Sequence, residues 1–95
     1  MKVLRKRIGE PWQIAKIGDT PEALREELGD LPRVRKVLTD VALIDGKNSM
    51  TGKKYNCEWC GMPLFGTVLI AGLNHKGEFC DVRAAEFLVK GAKTQ

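Results

Sequence analysis

The chain has 95 residues, 43% of them hydrophobic and 29% charged, with a formal net charge of +4. That length fits one domain spanning residues 1–95 and leaves no room for a second core, and the balance of residues excludes a disordered chain. No apolar run reaches the roughly 18 residues needed to cross a bilayer, which sets membrane partners aside.

Val3, Arg5 and Arg7 alternate with Leu4, Lys6 and Ile8, Gly9-Glu10-Pro11 breaks the run, and Trp12 to Ile17 alternates again. This predicts a β-hairpin with a loose turn, its second strand starting near Pro11, which has no N–H to give to a ladder. Neither an apolar segment nor a small-residue cleavage site follows the basic start, so it does not read as an export signal and the expected location is the cytoplasm. Thr20-Pro21-Glu22 supplies an N-cap hydroxyl, a proline for the first helical position and an acid for the first turn. A helix is predicted from Pro21 to about Leu28, stopping at Gly29, with Leu24, Leu28 and Leu31 in the core.

Pro32 ends any helical continuation. Arg33 to Leu38 and Val41 to Ile44 then predict two strands joined by a tight turn at Thr39-Asp40. From Asp45 to Tyr55 the chain is rich in glycine, lysine, asparagine and serine, which predicts a mobile surface loop. The almost wholly apolar stretch from Leu64 to Leu73 reads as one central strand covered on both faces, and Asn74-His75-Lys76-Gly77 as a turn into a returning strand from Glu78 to Val82. Asp81 is the expected cap of a final helix that carries Ala84, Ala85 and Leu88 and ends near Gly91. The resulting class is α+β, a mainly antiparallel sheet of about five or six strands with two short helices.

Met1-Lys2-Val3-Leu4, the passage from Ile17 to Leu28, Val41-Ala42-Leu43-Ile44, and above all Phe65-Gly66-Thr67-Val68-Leu69-Ile70-Ala71-Gly72 followed by Gly77-Glu78-Phe79 carry a resemblance. They resemble an uncharacterised domain-of-unknown-function family of small proteins from Gram-positive gut bacteria, their phages and conjugative elements. The resemblance covers most of the chain through short, mainly structural motifs. It implies a small cytoplasmic accessory protein encoded on mobile DNA, with no catalytic residues to carry over. Between Lys53 and Pro63 the sequence departs from the family pattern, because Cys57 and Cys60 stand where the family has a loop without cysteine.

Three cysteines are too few for a disulfide framework, so metal or thiol chemistry is the question they raise. Cys57-Glu58-Trp59-Cys60-Gly61 has the spacing of a zinc knuckle, and the glycine permits the positive φ such turns use. One half-site of this kind is of moderate specificity. Candidates for the other half are His75 and Cys80, but a histidine in the hairpin turn and a cysteine down its outgoing strand stand up to ~16 Å apart. The zinc candidates are therefore Cys57, Cys60 and Cys80, completed by a carboxylate such as Asp81 or by water. A redox pair of Cys57 and Cys60 ranks lower, because Gly61 and Pro63 break the helix a thioredoxin-like arrangement needs. Unligated thiols in a loop or core are the commonest outcome for such residues.

No nucleophile-and-base set is visible. Ser49 sits in a glycine-rich loop, His75 is the lone histidine, and Thr51-Gly52-Lys53-Lys54 lacks phosphate-loop spacing. The leading expectation is thus a small non-catalytic accessory protein that binds an unidentified protein or a second copy of itself. The alternatives are a nucleic-acid module using Lys53, Lys54, Tyr55 and Trp59 beside a zinc-stabilised turn, and a thiol redox protein. Solvated strand faces and a polar loop account for the basic patches at Lys2 to Arg7, Arg33 to Lys36 and Lys47 to Lys54 more simply than nucleic acid does.

Overall fold

A computed structural model describes residues 1–38, 40–48, 52–59 and 61–83. It contains β1 (Lys2–Lys6), β2 (Gln13–Lys16), α1 (Pro21–Leu28), β3 (Pro32–Leu38), β4 (Val41–Gly46), β5 (Tyr55–Trp59), β6 (Met62–Phe65), β7 (Val68–Leu73) and β8 (Phe79–Cys80). One antiparallel sheet runs in the order β2-β1-β7-β4-β3, with β8 paired to the end of β7, and β5 and β6 form a separate two-stranded sheet. The class is α+β, as expected. Among the described residues there is one helix; the second, predicted after Asp81, falls in residues 84–95, outside them.

Side-chain alternation along β7 explains the layers. Val68 and Ile70 join Leu4, Leu43, Trp12, Trp59, Leu64 and Val82 on one face, whereas Leu69 and Ala71 join Val3, Ile44, Leu24 and Leu28 on the other. The β5–β6 hairpin covers the first face and α1 the second, so β7 is apolar throughout because both its faces are roofed. The helix begins and ends as its caps dictate: Thr20 Oγ1 accepts from the Ala23 N–H at 3.2 Å, and Gly29, at φ 67°, donates its N–H to Arg25 O at 2.8 Å. Arg5 of β1 reaches Glu27 of α1 at 3.1 Å and joins helix to sheet.

Four expectations need correction. Leu64 to Leu73 is not one strand: Gly66, at φ 72°, lets the chain drop from the hairpin layer into the main sheet, so one apolar run serves two layers. Asp45 belongs to no loop; it is buried within β4, one residue before the strand ends, and beyond it Asp30 accepts from the Asn48 backbone N–H at 2.8 Å while Lys47 N–H donates to Leu31 O at 2.7 Å. Leu31 is 47% exposed rather than a core residue, because α1 has ended and β3 lies at the rim of the sheet. The strand after the Asn74–Gly77 turn is only Phe79–Cys80, since at Asp81 the chain leaves the sheet and crosses over Gly72. A Cβ on Gly72 would lie 2.5 Å from Asp81 O. The crossing brings Val82 into the core and its N–H to Lys2 O at 2.9 Å, while Asp81 Oδ1 accepts from the Lys2 backbone N–H at 2.7 Å.

Candidate functional site

Cys57 stands opposite Leu64 in the small hairpin and packs, half-buried, against the core beneath it. Burial pushes its thiol pKa upward, and the nearby Lys6 ammonium opposes part of that rise. A thiol held protonated in this way is a weak attacking group at neutral pH. The neighbouring Asn56 fastens the strand to the main sheet: its side-chain amide donates to Lys6 O at 2.9 Å and Gly66 O at 2.7 Å, and Lys6 Nζ donates to its Oδ1 at 2.7 Å. Lys6 pairs with Val68, so this anchor lies where β7 begins. Cys80 pairs with Gly72, about 13 Å further along β7. His75 is beyond that again, exposed in the turn, where it lines a shallow recess of about 270 Å³ with Asp40 and Arg83. Cys60 lies outside the described residues, Cys57 and Cys80 are free thiols, and among the described residues no three His, Cys, Asp or Glu side chains gather as a metal would require.

Of the residues considered for nucleic acid, Lys53, Lys54 and Tyr55 are exposed and Trp59 is buried. Trp59 is 6% exposed and packs in the core with Trp12, so its ring is not offered to a base. Tyr55 is exposed and meets Phe65 edge-on, with centroids 5.8 Å apart. Lys53 lays its stem across Gly66 and carries its ammonium to Gly29: a Cβ on the first would lie 3.1 Å from Lys53 Cγ, and on the second 3.3 Å from Nζ. Gly29 closes the C-terminal end of α1, where exposed carbonyls favour a cation. Lys54 is exposed.

No known family, curated protein or solved structure matches the chain. Its features of chemical interest are therefore those its own geometry assembles, and the most organised lies along β3. Asp45, 1% exposed, receives Arg33 Nε at 3.0 Å and the Arg33 terminal nitrogen at 2.8 Å, and an Arg35 nitrogen at 2.9 Å. The bidentate pairing raises the Arg33 pKa against a desolvation cost that lowers it. The other Arg35 terminal nitrogen meets only Met62 Sδ, at 3.9 Å, and Arg35 Nε has no partner among the described residues. Two guanidiniums thus share one carboxylate and leave a net positive charge on this rim.

Backbone direction adds a second property. The Lys47-to-Leu31 hydrogen bond means that positions 31, 33 and 35 point their amides at β4, so 32, 34 and 36 turn theirs outward, by the alternation of antiparallel ladders. The register on the other side of β4 agrees, because Leu73 N–H bonds to Asp40 O. Pro32 occupies an outward position, where its missing N–H costs the ladder nothing. Val34 and Lys36 hold their N–H and C=O groups toward the outside of the sheet, and no strand among the described residues covers them. Val34 is 48% exposed. The sequence signal for this rim is the period-two placement of Arg33 and Arg35 with an acid one residue past an apolar strand; reading Asp45 into a loop hid it.

Proposed function

We propose that the chain is a non-catalytic binding module whose partner is another protein, engaged along the outer edge of β3 by addition of an extended segment. The observation that carries this reading is the outward backbone of Val34 and Lys36 on the outermost strand of the sheet, with the Val34 side chain exposed beside it. Unpaired edge amides are the groups that strand addition uses, main-chain bonds supplying affinity and flanking side chains specificity. Self-pairing through β3 would set Arg33, Arg35 and Lys36 against the same cations of a second copy, which like-charge repulsion disfavours.

The test places a photo-crosslinking amino acid at Lys36 of the full chain in cells, with exposed Glu22 on α1 as the control position. Discrete protein adducts should form from position 36, weaken strongly in a Val34→Pro background and be absent from position 22. Proline at 34 removes an outward N–H and leaves the β3–β4 ladder its bonds, so the variant should stay folded. Adducts that survive Val34→Pro unchanged, or that contain nucleic acid, would refute the reading.

A further inference from the structure

The edge of β3 also restricts what can dock on it. Residues directly opposite each other in an antiparallel pair share a face of the sheet. On the hairpin face, an added strand would meet Arg33 and Arg35, whose side chains retain 35% and 32% exposure despite Asp45. On the helix face it would meet Val34, which pairs with core residue Ile44 from the other side, and then exposed Lys36. The order along the rim is cation, apolar, cation, cation. Asp45 neutralises one of these charges and is itself sealed from the rim, so the surplus is positive.

The register has limits as well. Pro32 offers a carbonyl but no N–H at one end, and a bulge between Lys36 and Leu38 disturbs the ladder at the other. Only a short segment fits between them.

We infer that the partner of this edge is a short, extended, acidic segment of another protein, with carboxylates opposite Arg33, Arg35 and Lys36 and an apolar residue opposite Val34. The inference rests on the edge-binding reading above and names its ligand. Read antiparallel to β3, the complementary order is acid, acid, apolar, acid. Cross-strand pairs of opposite charge supply selectivity, and the outward amides of Val34 and Lys36 supply the common affinity.

The experiment titrates the isotope-labelled full chain with three peptides and follows each backbone amide by NMR. The first is Thr-Glu-Glu-Val-Glu-Thr with blocked ends; the second has glutamine, and the third lysine, in place of every glutamate. The acidic peptide should shift and protect the amides of Val34 and Lys36 at the lowest concentration, the neutral peptide should follow and the basic one should fail. Lys36→Glu should weaken the acidic peptide about five- to tenfold at low salt and improve the basic one. Equal effects of all three peptides at Val34 and Lys36 would overturn the acidic partner while leaving strand addition standing. No response at these amides to any peptide would overturn both. An unstructured oligonucleotide run alongside should leave the β3 amides unmoved; if it shifts them more than the acidic peptide does, the partner is nucleic acid and the inference falls.

Discussion

Replacing Asp45 with alanine should be the most damaging single change on the rim of the sheet. The carboxylate is 1% exposed and accepts three charge-assisted hydrogen bonds from Arg33 and Arg35. Removing one partner of a buried ion pair costs about 3–5 kcal/mol, because the remaining charge is stranded. Here the two guanidiniums keep about a third of their surface, 35% and 32%, and can turn toward water once released. The expected loss is therefore about 2–3 kcal/mol, below the fully buried range and well above the value of an exposed pair. For a domain of this size that is a fall in Tm of roughly 10–20 °C. Urea unfolding should show the midpoint falling with the slope unchanged, so that the loss belongs to the folded state. Asp45→Asn, which keeps an acceptor and the shape, should fall between wild type and Asp45→Ala. A loss below about 0.5 kcal/mol for Asp45→Ala, the scale of an ordinary surface change, would refute the role given to this carboxylate.

Gly72→Ala should cost about 1–3 kcal/mol by urea unfolding, since its methyl would collide with the Asp81 carbonyl, whereas Gly52→Ala, with nothing within 4 Å, should be silent; equal effects would remove the crossing as the cause. In a Cys60→Ser, Cys80→Ser background, alkylation of Cys57 should keep accelerating past the ordinary thiol range, because burial raises its pKa. Stability is therefore unaffected by this thiol below its unfolded pKa and falls as pH rises from there through the folded one; an alkylation rate already maximal at neutral pH would contradict the shift. Asp30 has its pKa lowered, chiefly by the Asn48 backbone N–H. Its contribution is present above the unfolded carboxyl pKa and disappears as pH falls through the folded value, so Asp30→Asn should lower Tm at neutral pH and match wild type in strong acid. A gap that persists in strong acid would point to some other cause.

Local chemistry was the legible part of this fold. Thr20, Pro21 and Gly29 bound α1 as their cap preferences require, and Asn74 to Gly77 forms its turn with Asn74 Oδ1 accepting from the Lys76 and Glu78 backbone N–H groups at 2.9 and 3.0 Å. What the linear pattern could not display was the layer to which an apolar stretch belongs. Leu64 and Leu69 are equally apolar and both buried, yet one lies in the roof and the other in the sheet, because Gly66 changes level between them. The same limit hid Asp45, which resembles a loop residue until its register with Arg33 is known. Cys57 and Cys80 invited a shared site by spacing and chain position; Cys57 lies in the β5–β6 hairpin, next to Asn56, which bonds to Lys6 where β7 begins, whereas Cys80 pairs with Gly72 near the other end of β7.

The position of β7 has a consequence for how the chain assembles. Strands β1 and β2 form one local hairpin and β3 and β4 another, and the two make no ladder with each other: each pairs with β7, which comes later in sequence than both. During synthesis the ribosome therefore releases two half-sheets, each with an edge waiting, before the strand that joins them exists. Val82, bonded to Lys2, follows later still. The early chain is most prone to mispairing in that interval, and its rescue depends on how soon residues 68–82 emerge.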